Sequence, residues 1–86
     1  MNTQIMDSDI RRVIEQHARL RVEVDSLPVD ADLFQAGMTS HASVNVMLGL
    51  EDAFDVEFPD EMLKRSVFES IASIGAALSE LRVQNQ

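Results

Sequence analysis

The chain has 86 residues, 45% of them hydrophobic and 26% charged, which describes one globular domain over residues 1–86 and leaves no room for a second, catalytic one. Its formal net charge of -8, from 15 acidic and 7 basic residues, disfavours nucleic acid and anionic membranes as partners and points to basic proteins instead. Cysteine is absent, so disulfides and thiolate metal sites are excluded, and any thiol chemistry needs a thiol brought by another group.

No basic segment followed by an apolar run opens the sequence, and no stretch approaches the roughly 20 apolar residues of a membrane span, so a cytoplasmic location is expected. Ile10, Val13, Ile14 and His17 fall at i, i+3, i+4 and i+7, with Leu20 extending the row. This spacing predicts an amphipathic helix from near Thr3 to Arg21, with His17 as a partly buried structural histidine. Val22 to Thr39 carries Pro28 and Gly37 among acidic residues, and also Leu27, Val29, Leu33 and Phe34. An ordered loop pinned to the core by those apolar side chains is expected.

A second helix should run from Ser40 to about Asp55, with Val46, Met47, Leu50, Ala53 and Phe54 as its core stripe. His41, Val44, Asn45, Leu48 and Asp52 fall on another face, where two aliphatic residues lie next to an acid and suggest a docking surface for a partner. Between Val22 and Leu63 there is no Lys or Arg, while Glu51, Asp52, Asp55, Glu57, Asp60 and Glu61 add to the acids of the loop. Such a one-signed field steers a basic protein towards the middle of the chain.

Pro59 ends the second helical pattern, and Asp60 and Glu61 suit the positive end of a short third helix reaching Lys64 and Arg65. Ser70 is a candidate cap for a fourth helix with Ile71, Ile74, Leu78 and Leu81 on its apolar face. Gly49 and Gly75 lie inside helical patterns and predict close helix contact at both points.

Catalytic constellations are thin. Ser40 beside His41 suggests a nucleophile and a base, but neighbours on a helix point in different directions and no third member is evident. Two histidines without cysteine make a poor zinc set. The carboxylates lack calcium-loop spacing, and no glycine-rich phosphate loop exists. The residues alone offer no convincing catalytic site.

"DLFQAGMTSHASV" resembles the approach to the modified serine of the acyl carrier protein family, with Asp32, Leu33 and Gly37 before Ser40 and Val44 after it. Downstream, Glu51, Phe54, Val56, Phe58, Pro59 and Asp60 in "LEDAFDVEFPDE" are similar to a second run of that family. The resemblance covers about Ile5 to Leu81. It implies an all-α fold: a four-helix bundle with a long loop between helices 1 and 2 and a short third helix. The family's usual Asp-Ser-Leu is Thr39-Ser40-His41 here, and Asn45 stands where many carriers of fatty acid synthesis have Glu. The chain looks more like the small carriers that serve stand-alone amino acid:carrier protein ligases, which are similar to the catalytic core of class II aminoacyl-tRNA synthetases.

What the resemblance implies is 4'-phosphopantetheine on Ser40, placed there from coenzyme A by a magnesium-dependent phosphopantetheinyl transferase. Its thiol would hold an acyl or aminoacyl group as a thioester for a downstream acceptor enzyme. A phosphodiester suits a helix amino terminus, where backbone N–H groups are unpaired. The expected docking residues are Thr39, His41, Val44, Asn45, Leu48, Glu51 and Asp52, joined by Met62 and Leu63 of the short helix. Ser43 is the rival acceptor nearby. Met47, Phe58, Met62 and Leu63 would line a pocket if the cargo were a long acyl chain. Two alternatives stand beside an aminoacyl carrier: an acyl carrier of fatty acid or polyketide type, and an acidic helical adaptor that is never modified.

Overall fold

The computed structural model describes residues 7–18 and 20–84, with side chains through Leu81. Four helices carry the fold: α1 (Asp7–Ala18), α2 (Ser40–Phe54), α3 (Arg65–Phe68) and α4 (Ile71–Gln84), with 3-10 turns at Val24–Ser26 and Asp60–Met62. The long first connection and the presence of a short third helix agree with the periodicities and the resemblance, but that helix lies later in the chain than the predicted Asp60 to Arg65. Of the expected first helix, Thr3 to Met6 and Arg19 lie outside the described residues, and Leu20 and Arg21 are past its end.

The helices form where apolar spacing allows a shared interior. Ile10, Val13 and Ile14 of α1 pack with Val46 and Leu50 of α2 and with Ile71, Ile74, Leu78 and Leu81 of α4. Burying each of these large aliphatic side chains stabilises the fold by about 1.5–3 kcal/mol before chain entropy is counted. Ala42 is buried on α2, whereas Ala53, expected in the core stripe, is exposed. Near the end of the helix, Phe54 takes the partly buried position instead.

Close approach of α1 and α2 depends on Gly49. A methyl group there would fall 2.6 Å from Cδ2 of His17 and 2.9 Å from Cγ1 of Val13. His17 is exposed overall rather than partly buried, and its ring lies across that glycine. At Gly75 the same methyl would meet only Ile10 Cδ1, at 3.6 Å, an ordinary contact. The close approach expected at both glycines therefore exists at Gly49 alone.

The connection from α1 to α2 is ordered by stitches as well as by apolar anchors. The Arg11 guanidinium donates to the carbonyl oxygens of Val24 at 2.6 Å and Leu27 at 2.8 Å. Leu33 N–H donates to Glu69 O at 2.7 Å, and Ala72 N–H donates to Val29 O at 2.8 Å, so the loop is tied to both ends of the α3–α4 junction. Val24, Leu33 and Met38 are buried, while Val29, expected as an anchor, is exposed and contributes its backbone instead.

The expected helix from Asp60 to Arg65 is divided. A 3-10 turn over Asp60–Met62 ends at Leu63, and Lys64 is extended, with φ -143° and ψ 159°, before α3 begins. A run this short gains too few backbone bonds to offset helix nucleation, and a 3-10 turn is its usual form. The break delivers Phe68 to the core, edge-on to Phe58 with ring centroids 5.2 Å apart. Helix α4 opens on a reciprocal cap: Ser73 N–H donates to Ser70 Oγ at 3.0 Å and Ser70 N–H to Ser73 Oγ at 3.1 Å.

Candidate functional site

The chain turns into α2 through a compact reversal. Asp32 Oδ1 accepts the N–H of Phe34 at 2.9 Å and of Gln35 at 3.3 Å, and Met38 N–H closes the turn on Leu33 O at 3.0 Å. Gly37 sits at φ +120°, which a residue without Cβ adopts most easily. Met38 is then buried, which fixes where the next two residues emerge.

Thr39, not Ser40, is the cap of α2. Its Oγ1 accepts the Ala42 N–H at 3.0 Å, and its carbonyl oxygen accepts the Ser43 N–H at 2.9 Å. Ser40 is the first helical residue, exposed, and its hydroxyl makes no hydrogen bond among the described residues. Ser43, the rival acceptor, is half-buried and donates its hydroxyl to Ser40 O at 2.6 Å. With the N–H groups of Ala42 and Ser43 taken, those of Ser40 and His41 are left at the positive end of a 15-residue helix. An anion esterified to Ser40 fits that arrangement.

Ser40 opens on a cleft of about 470 Å³. Its apolar lining is Phe34, Val44, Met47, Leu63 and Phe68, and its polar lining is Ser40, Ser43, Lys64 and Arg65. Of the four residues expected to line a pocket, Met47 and Leu63 do so. Phe58 is instead spent in the core against Phe68, and Met62 lies on a separate hollow with Val67, Ser73 and Ala77. Phe34, Phe68 and Arg65 went unforeseen, because they come from segments about 30 residues apart that only the tertiary fold brings together.

On α2, Val44 and Leu48 are 50% and 53% exposed, and Leu63 beyond the loop is 45% exposed. His41 and Asp52 are exposed and Asn45 is half-buried. Glu51 is half-buried, and its Oε2 accepts the Phe58 N–H at 2.9 Å, so it braces the loop that follows α2. Among the described residues no helix is long and apolar enough to cross a membrane, and no three His, Cys, Asp or Glu gather as metal ligands.

Residues 10–78 match the family of the phosphopantetheine attachment site. The chain belongs to that family. It is a carrier protein rather than an enzyme, and phosphopantetheine is its cofactor. This carrier is 46% identical over 69 residues to the aminoacyl carrier protein of Agrobacterium fabrum, a match spanning 80% of this chain and 83% of the relative. It is also similar to a crystal structure of an engineered Bradyrhizobium japonicum glycine:[carrier protein] ligase complexed with carrier protein from Agrobacterium tumefaciens and AMP. That match has a TM-score of 0.84 and 43% identity, covering 86% of this chain and 99% of the other. A further crystal structure, of the Bradyrhizobium japonicum ligase complexed with glycylated carrier protein, aligns with a TM-score of 0.62 and 25% identity over 83% of this chain and 90% of the other.

Proposed function

We propose that Ser40 carries the phosphopantetheine and that the carrier presents an amino acid, loaded by an amino acid:carrier protein ligase, to a downstream acceptor enzyme. The observation that carries the attachment site is the division of work at the start of α2. Thr39 supplies the cap, so the exposed Ser40 hydroxyl is free to be modified without loss of a bond that the helix needs. In the attachment step Ser40 Oγ forms the new P–O bond, its proton passes to the transferase, and the pyrophosphate bond of coenzyme A breaks to release adenosine 3',5'-bisphosphate. Once bound, the group supplies a thiol that holds the cargo as a thioester.

The chain's own contribution is positioning. Ser40 and His41 N–H groups face the anion, and the exposed apolar pair Val44 and Leu48, with Leu63, offers a partner a patch to bury. Asp52 supplies charge beside it, and Thr39, His41 and Asn45 complete the surface around the serine. Glu51 and Met62 stand at the margin of this docking face, the first bonded to Phe58 and the second packed on the core. Tethering then replaces a free encounter by a high effective concentration, with the acidic field guiding basic partners. The cytoplasm, where coenzyme A and ATP are supplied, is the compartment that suits these partners.

An amino acid as cargo is supported by the aminoacyl carrier relative and by the likeness to carriers solved with glycine:[carrier protein] ligase. The apolar lining of the Ser40 cleft favours the runner-up, an acyl cargo.

The test is the intact mass after incubation with coenzyme A and a broad-specificity phosphopantetheinyl transferase, on the natural protein and Ser40→Ala side by side. One phosphopantetheine increment on the natural protein only is expected. The holo protein is then offered ATP with glycine, other amino acids or fatty acids and the matching ligases. Loading by fatty acids alone would overturn the aminoacyl reading, and an increment on Ser40→Ala would move the site to another hydroxyl.

A further inference from the structure

Cations are scarce in this chain, and those of α1 have evident partners: Arg11 holds the loop carbonyls, and Arg12 pairs with Asp9 at 3.7 Å. Lys64 and Arg65 differ. They are the first Lys or Arg after Arg21, both line the cleft onto which Ser40 opens, Lys64 standing on the ridge between it and the hollow beside Met62, and among the described residues neither has a carboxylate within ion-pair distance. In a chain with more than twice as many acids as bases, two adjacent unpaired cations beside one exposed hydroxyl stand out against the field around them.

Their placement is fixed by the fold. Lys64 occupies the extended residue between the 3-10 turn and α3. The Arg65 guanidinium lies over the Phe34 ring, 4.0 Å from its centroid. Stacking restrains a guanidinium by its face and leaves its N–H edge for an oxygen ligand, the form in which arginine binds phosphate esters. Less side-chain freedom then remains to be lost when an anion arrives.

We propose that Lys64 and Arg65 form a seat for the phosphodiester at Ser40 and hold the near part of the arm along the cleft, with Phe34 and Phe68 beneath it. This rests on the reading of Ser40 as the attachment residue. The seat offsets the repulsion that an acidic protein exerts on its own phosphodiester.

The experiment uses isotope-labelled full-length protein in apo and holo forms, each verified by mass, with Lys64→Gln/Arg65→Gln alongside. Both residues are exposed, and the amide spectrum of the remainder reports whether the variant is folded. In the natural holo protein the Arg65 Nε–H resonance shifts relative to apo, and the geminal methyl protons of the arm show NOEs to the Phe34 and Phe68 rings. In the holo double variant those NOEs are lost and the 31P line narrows towards that of a freely rotating ester. Arg65→Lys retains part of the effect, and raised salt weakens it.

The proposal is overturned if the holo natural protein shows neither the Arg65 shift nor the ring NOEs, a result that needs no variant. It is equally overturned if the double variant keeps them. Slower modification of the double variant with unchanged NOEs would assign the two cations to incoming coenzyme A and overturn the seat. Absence of the mass increment would defeat the attachment reading itself, and the seat with it.

Discussion

The Glu51 carboxylate accepts the backbone N–H of Phe58 seven residues later, at 2.9 Å, and so binds the end of α2 to the loop that leads towards Lys64 and Arg65. A half-buried N–H left without its acceptor costs about 1–3 kcal/mol. Glu51→Ala should therefore lower stability by that amount, read from urea unfolding, and loosen the loop that forms one wall of the cleft. Glu51→Gln, which keeps an oxygen acceptor, should lose less. Equal losses for the two variants would show that the bond is not what Glu51 contributes.

Thr39→Ala removes the cap of α2 and should destabilise the protein by about 1 kcal/mol. For a domain of this size that is a fall of about 4–8 °C in Tm. Modification should still occur on Ser40, because the hydroxyl that accepts the group is untouched. Thr39→Asp should keep the cap and add a favourable charge at the positive end of the helix, worth about 0.3–1 kcal/mol at low salt. Calorimetry with intact mass on the same samples checks both parts; loss of modification with intact folding would show that Thr39 is read by the transferase.

The two helical glycines should respond with opposite signs. Gly49→Ala drives a methyl group into Val13 and the His17 ring, and overpacking of this kind costs about 1–3 kcal/mol. Gly75→Ala meets only an ordinary contact with Ile10 and should gain up to about 1 kcal/mol from helix propensity. His17→Ala should recover part of the Gly49→Ala loss, leaving the share due to Val13. Equal Tm values for the two alanine variants would contradict the packing described for α1 and α2.

Asp55 ends α2 in the left-handed region, at φ 55° and ψ 52°, and puts a negative charge at the negative end of the helix. Asparagine tolerates that conformation and removes the charge, so Asp55→Asn should stabilise by about 0.3–1 kcal/mol, with the gain shrinking as salt rises. Chemical denaturation at low and high salt reads both effects. A loss of stability would mean that Asp55 has a favourable partner in solution.

The sequence made the helices legible because their apolar rows are regular: Ile10, Val13 and Ile14 predict α1, and Ile71, Ile74, Leu78 and Leu81 predict α4. The start of α2 at Ser40 is legible too, but which residue caps it is not, since threonine and serine are both good caps and only geometry decides for Thr39. Ala53 shows the limit of periodicity: it marks a face, while the neighbouring elements decide how far along the helix that face is covered. The anchors Val24 and Met38, the Arg11 clamp and the approach of Arg65 to Phe34 all join distant segments. Local pattern carries no information about such pairs, so they emerged from the structure alone.

The position before Ser40 asks only for a short side chain with an oxygen that can reach the Ala42 N–H, and a hydroxyl meets this as well as a carboxylate. Family members with aspartate there place a full negative charge next to the ester, whereas Thr39 leaves that neighbour neutral. The exchange keeps the cap, changes the helix only by the small charge contribution at its positive end, and is audible to everything that approaches it. A partner that recognises the acid finds no handle here, while a phosphodiester on Ser40, as proposed, loses its nearest electrostatic opponent. One interchangeable capping residue can thus retune which enzymes a carrier meets without disturbing how it folds.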